Sequence, residues 1–361
     1  MHIAHAFYFW RVNKKSMRKK STLLLLIPGF LTFFACTKNN LHAPLADTSG
    51  GPIDLPGNAT AYVAGSAGDT AVYFINGKEY ALTSGKTPAA SNSIAVSGGN
   101  IYVAGYESNG KHTAAKYWKN GVAIVLSDTS VNAVATSIAV VGSDVYVVGW
   151  ISSGTANTAA LWRNGGLTSL TAVGHSGAAN ALFFNGADVY VAGYDSTAGQ
   201  ASACYWKNGA ITTLPDSLSY AIAQGITVSG SDVFVVGWGL SPDGFSYLAP
   251  RLWKNGSVQP LATTSNSALA TSVAVNGNTT YVTGRDDYRA VYWENGTEKI
   301  NGDGFQSNAI AINDSVLYFA GNAGGENVAN GTGTTPVFWR NDIAFSLGHS
   351  PGTANAIVVT N

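Results

Sequence analysis

Seven times along this chain an aromatic side chain is followed by a tight-turn sequence, at Phe74, Trp118, Trp162, Trp206, Trp253, Trp293 and Trp339. Successive members of this series lie 44, 44, 44, 47, 40 and 46 residues apart. A unit of that length cannot bury its apolar face alone and must stack against its neighbours. Between the aromatics, short runs alternate apolar and polar residues with a period of two, and no helical stripe interrupts them. Together these features predict an all-β, seven-bladed β-propeller with one blade per repeat.

Each unit divides into four short strands. The first is a run such as Ser93 to Val96, recurring at Ser137 to Val140, Ala181 to Phe184, Gly225 to Val228, Ser272 to Val275, Ala309 to Ile312 and Ala356 to Val359. The second has the form V-Y-V-x-G plus a large residue, as in Val145 to Trp150. The third ends in the anchor and closes with Lys/Arg-Asn-Gly, a strong two-residue hairpin signal because both turn positions need φ > 0. The fourth is short, as in Val122 to Leu126. The chain enters at a second strand, Ala61 to Gly65, and leaves on a first-type strand, Ala356 to Val359. Every blade has four strands only if these two pair in one blade, a closure that removes free sheet edges.

The N-terminal stretch reads as an address. Arg18-Lys19-Lys20 precedes an apolar run from Leu23 to Phe34, which ends in Ala35-Cys36. A basic region, a short apolar core and a small residue at the cleavage point describe a secretory signal over residues 1–36. Met17 is an alternative start, leaving residues 1–16 untranslated. The Ala-Cys ending resembles a bacterial lipobox, although Phe33 and Phe34 depart from its usual upstream residues. That resemblance implies lipidation at Cys36, a membrane partner through the lipid anchor, and an outer-membrane envelope lipoprotein. The simpler alternative is an ordinary signal peptide with an incidental cysteine. Residues 37–60, rich in Asn, Pro, Gly, Asp and Ser without a period, read as a tether, and 61–361 as the propeller.

Residues 1–36 hold six bases and no acid, so the remainder carries 14 bases against 20 acids, a balance of about −6. That disfavours nucleic acid as a partner, because its binding depends on Lys and Arg neutralising phosphates. Cys204 lies in a strand pattern without a neighbouring base and reads as a small buried hydrophobe.

Two rings of residues are expected at the channel mouth. One follows the second-strand glycine: Ser66, Tyr106, Trp150, Tyr194, Trp238, Arg285 and Asn322. The other precedes the first strand: Asn92, Thr136, Asn180, Gln224, Thr271, Asn308 and Asn355, all able to hydrogen-bond and none charged. Aromatic faces beside neutral amides suit sugars or other polyhydroxylated ligands. Because both rings recur with the repeat, blade packing and turn capping compete with that reading. The loops between second and third strands vary in length and sequence, as loop-borne specificity requires.

Catalytic signals are sparse, and no cofactor is implied. His175 and His349 share a Gly-His-Ser context but fall three blades apart, which argues against a shared metal. Asp286 and Asp287 beside Arg285 could serve acid–base chemistry, yet adjacent carboxylates in a short loop are commonly solvated.

Ala290 to Gly296 (AVYWENG), followed by Ser307 to Ile312 and Phe319-Ala320-Gly321, resembles the HAF family of extracellular repeats. The similarity runs over residues 61 to 361, without the Asp-Leu-Gly usually found after the turn in that family. The resemblance implies secretion and a repeat fold and assigns no chemistry. Three functions follow as expectations: a lipid-anchored binding or scaffold propeller with a glycan or protein ligand at its mouth; a glycan-active enzyme using Asp286, Asp287 or Asp303; and a disc that docks onto a partner protein.

Overall fold

The computed structural model describes residues 53–152, 154–216, 220–240, 247–302, 304–324, 334–341, 343–348 and 351–361. Cys36, the signal segment, Asp303 and His349 lie outside the described residues.

Seven four-stranded antiparallel sheets make up the fold, in the blade order that the repeat dictates. Blade 1 is composite. Its innermost strand is Gly352–Thr360, followed outward by Thr60–Ala67, Thr70–Ile75 and Lys78–Ala81. The pairing of the two chain ends runs from Thr60↔Thr360 to Ala67↔Gly352. The innermost strands of blades 2 to 7 are Ala89–Ser97, Ala133–Val141, Ser176–Asn185, Ala221–Ser229, Ala268–Asn276 and Gly304–Asn313. These strands are longer than the apolar runs that mark them in the sequence.

The ordered body also begins earlier than composition indicates. Ile53, Leu55 and Ala59 are buried with Phe74 and Tyr318, and the Ile53 amide donates to the Asn76 carbonyl at 2.6 Å. Three apolar side chains among turn-forming residues carry no periodic signal, which is why this stretch reads as tether.

The seven aromatics of the repeat are 0 to 1% exposed, and each packs on the preceding blade. Trp162 of blade 3 meets Tyr102, Ala104 and Ala115 of blade 2; Trp206 of blade 4 meets Val148 and Ala159 of blade 3. Phe74 completes the circle against Ala320 and Phe338 of blade 7. The receiving surface is built mostly from alanine, so a large ring enters a shallow socket that no blade could fill from within. The indole N–H groups of Trp162, Trp206 and Trp339 are buried without an acceptor among the described residues, whereas that of Trp253 donates to the Pro215 carbonyl at 2.9 Å.

The turn after each anchor does two things. Asn76, Asn120, Asn164, Asn208, Asn255, Asn295 and Asn341 all have φ between 47 and 51°, the left-handed region that Asn tolerates better than most residues. Each side-chain oxygen then accepts the amide that starts the second strand, as Val189 donates to Asn208 Oδ1 at 2.9 Å. The Asn amide returns the bond to the same residue's carbonyl. The outer hairpin is thereby fastened to the inner half of its own blade.

A second repeated device sits at the other end of the innermost strand. Every one of these strands carries a β-bulge, and the extra residue is Asn92, Thr136, Asn180, Gln224, Thr271, Asn308 or Asn355. Opposite each bulge stands the second-strand glycine. A Cβ at Gly105, Gly149, Gly193, Gly237, Gly284, Gly321 or Gly65 would lie 1.9 to 2.0 Å from a carbonyl oxygen of the bulged strand. The glycine of V-Y-V-x-G is therefore required by close backbone approach.

Candidate functional site at the mouth of the channel

A cavity of about 620 Å³ lies along the axis, with walls supplied by the seven innermost strands. The predicted ring Asn92, Thr136, Asn180, Gln224, Thr271, Asn308 and Asn355 lines it, and no charged side chain does. The bulges explain how these residues come together. An extra residue in an inner strand is released from the ladder, and its side chain reaches the neighbouring blade.

Six of the seven reach the same target. Asn92 Nδ2 donates to the Ala135 carbonyl, Thr136 Oγ1 to Ala179, Asn180 Nδ2 to Ala223, Thr271 Oγ1 to Ser307, Asn308 Nδ2 to Ala354 and Asn355 Nδ2 to Ser91, at 2.7 to 3.0 Å. Each bond joins a blade to the next, so the amides and hydroxyls form a belt around the channel. Gln224 breaks it. Its side chain makes no hydrogen bond among the described residues, and the adjacent Gly225 lets the Thr271 carbonyl approach to 3.0 Å from where a Cβ would stand. The belt residues thus have a structural task, and the amide oxygens of Asn92, Asn180 and Asn355 face no donor among the described residues. Asn308 Oδ1 accepts from Gln306 Nε2 at 2.7 Å.

The second predicted ring occupies the end of the second strands, at the same face. Tyr106 pairs with Ala90, Trp150 with Val134, Tyr194 with Ala178, Trp238 with Ile222 and Arg285 with Leu269, each one step above a bulge. None of these five side chains contributes to the cavity walls; this series, which follows the second-strand glycine, is termed the rim. All five are half-buried. Burial, then the charge of Asp69, raises the phenol pKa of Tyr106; burial, then Tyr220, raises that of Tyr194.

The rim is not uniform. In blade 5 Trp238 stacks on Tyr220, with ring centroids 6.0 Å apart and planes 27° from parallel. In blade 6 the Arg285 guanidinium lies 5.6 Å from the centroid of Phe305, whose ring is 6.0 Å from that of Tyr288. Tyr220, Phe305 and Tyr288 escaped sequence reasoning because they fall outside the repeat. Phe305 is an additional bulge residue, between Gly304 and Gln306, found in no other innermost strand of the fold.

The carboxylates are placed differently from expectation. Asp286 is fully buried, held by the Thr264 amide and hydroxyl, both at 2.8 Å, and by the amide and hydroxyl of Ser265. The connector through Thr264 and Ser265 folds over it, so Asp286 is not solvated and does not face the mouth. Burial opposes its ionisation, but the donors from Ser265 and Thr264 win and its pKa is lowered. Burial first, then its hydrogen bond and charge contact with Asp286, raise the pKa of the neighbouring Glu298 to about 7. Asp287 is exposed, with φ of 54° in the turn.

His175 Nδ1 lies 2.6 Å from Asp195 Oδ2. Among the described residues no three His, Cys, Asp or Glu side chains converge as metal ligands. Cys204 is fully buried and unpaired, and burial, followed by the nearby Asp195 charge, drives its thiol pKa far up, so it presents no thiolate.

Fold and rim together define a class, a seven-bladed propeller whose belt of neutral donors is closed six times and whose rim differs from blade to blade. Comparison with known proteins finds no matching family model and no matching curated protein, so the likeness to HAF repeats rests on the residues quoted above.

Proposed function

We propose that this chain is a non-enzymatic binding propeller of the bacterial cell envelope, held by a lipid on Cys36, with a glycan docking at the rim above the channel. The observation that carries the reading is the contrast between two sets of aromatics. The anchors are 0 to 1% exposed, whereas Tyr106, Trp150, Tyr194 and Trp238 are only half-buried. Partly exposed rings beside uncharged amides match the C–H faces and hydroxyls of sugars. The rival hydrolase reading loses one proposed carboxylate, because Asp286 is occupied by Thr264 and Ser265. A lipid at Cys36 would require more than one acyl chain for stable anchoring.

Two measurements test this. Radiolabelled palmitate should be incorporated into the chain and lost in Cys36→Ser, with release of the protein from membranes. The released protein should bind a subset of a glycan array, and Trp150→Ala or Trp238→Ala should weaken that binding at least tenfold; full retention in both variants removes the rim from consideration.

A further inference from the structure

Arg285 stands where the other blades place Ser66, Tyr106, Trp150, Tyr194, Trp238 and Asn322, and it is the one charged member of the rim. Its surroundings are unusual for a cation. The guanidinium lies against Phe305, its Nε–H is buried without an acceptor, and no carboxylate comes within ion-pair distance of it among the described residues. Every other described arginine has an acceptor: Arg163 pairs with Asp144, Arg251 with Asp216, Arg289 with Asp286 and Glu298, and Arg340 donates to the Asp54 carbonyl. Burying a charge without a counter-charge is costly, and arginine cannot relieve the cost by losing its proton.

The fold departs from its repeat to create this setting. Phe305 exists as an extra residue only because blade 7 has a second bulge, next to Gly304, where a Cβ would lie 2.5 Å from the Trp339 ring and 2.6 Å from Ala290. The Arg285 guanidinium sits 5.6 Å from the Phe305 centroid, and Tyr288, 71% exposed, has its ring 6.0 Å from that of Phe305. Tyr288 and Asp287, the latter on an exposed turn, act on Arg285 electrostatically, but neither forms an ion pair or hydrogen bond with it among the described residues.

We propose that Arg285, backed by Phe305 and flanked by Tyr288, is an anion subsite that selects a sugar bearing a carboxylate or sulfate over its neutral counterpart. This rests on the glycan reading of the rim and adds the charge of the ligand to it. A planar guanidinium gives two parallel N–H donors to a carboxylate or sulfate, while the exposed Tyr288 ring accepts a sugar face. The chain beyond residue 36 carries a balance of about −6, so general attraction to anions does not account for such selection.

The test uses the full chain in detergent and matched probes: trigalacturonate and its methyl ester, and a sulfated chondroitin tetrasaccharide and its desulfated form. In wild type at least one acid should bind ten or more times tighter than its neutral partner, and the pair that shows it identifies carboxylate or sulfate as the source. Arg285→Met should reduce that ratio to within twofold of one by weakening the acid probe far more than the neutral one, and keep the melting temperature within a few degrees. Arg285→Lys should restore part of the ratio. Equal affinities for acid and neutral probe in both pairs, or a ratio that survives Arg285→Met, would overturn the proposal while leaving glycan binding at the rim intact. Failure of all four probes to bind overturns the anion subsite, and glycan binding at the rim falls with it only if the glycan array is blank as well. Selection lost in Arg285→Met but untouched by Trp238→Ala and Trp150→Ala supports the anion subsite and removes the aromatic rim.

Discussion

The two ends of each blade obey different rules. At the turn end, seven Asn residues share one left-handed φ, one side-chain oxygen accepting one amide, and one aromatic buried in the preceding blade. At the opposite end the seven blades present Ser, Tyr, Trp, Tyr, Trp, Arg and Asn, and Trp238 and Arg285 meet different rings. A contact made seven times serves the stacking of units, because every junction poses the same packing problem. A residue that changes from blade to blade under the same backbone answers to something outside the repeat. The belt of bulge residues lies between these extremes: six members repeat one bond, and Gln224 does not.

Exchanging aromatics at the two ends gives the largest expected contrast. Trp206→Ala should destabilise the fold by about 3–5 kcal/mol in denaturant unfolding, since the ring is fully buried between blades 3 and 4. Trp238→Ala, at the rim, should cost roughly 1 kcal/mol or less, and a larger loss would erase the division between the ends. The turn comes next. Asn208→Ala places a Cβ residue without a compensating amide at φ of 51°, and a loss of about 2 kcal/mol is expected, against about 1 for Asn208→Gly, which keeps the geometry and loses the bonds. The belt should respond less. Asn180→Ala removes the donor to the Ala223 carbonyl and should cost about 1 kcal/mol, whereas Gln224→Ala should stay within about 0.5 kcal/mol of wild type. Equal effects at the two positions would mean that the break at Gln224 has no structural meaning.

Blade 6 should also show a pH dependence. The folded chain keeps the Glu298 proton up to about pH 7, while an unfolded chain releases it near 4.5. Between those values the folded state binds more protons, so this group's contribution is complete below pH 4.5 and declines as pH rises to about 7. Chemical denaturation from pH 4.5 to 8 should show that decline, and Glu298→Gln should flatten it.

The period of the aromatics and the Asn-Gly turns made the number of blades legible, and the count of strands made the shared blade legible as well. Both are local signals repeated often enough to be read without tertiary knowledge. The bulge ring was visible as seven polar residues at one register position, but its bonding was not, because a bulge is a property of two strands and only one is in view at a time. Asp286 misled for a related reason: nothing in Arg285-Asp286-Asp287 foretells that Thr264 and Ser265 fold over the middle residue. Phe305 and Tyr220 stayed hidden because periodicity reveals what repeats, and these two belong to single blades.

The shared blade has a consequence for the order in which the molecule can form. Strand Thr60–Ala67 is among the first to emerge when the chain is made or threaded N-terminus first, yet its inner neighbour, Gly352–Thr360, is almost the last. Blades 2 to 7 can each assemble from contiguous chain, while blade 1 waits across nearly 300 residues with one edge unpaired. Removing the last strand would leave an open arc rather than a smaller ring, with a sticky edge at blade 1. The nine residues of strand Gly352–Thr360 therefore act as a completion check: until they dock, the circle has no seal.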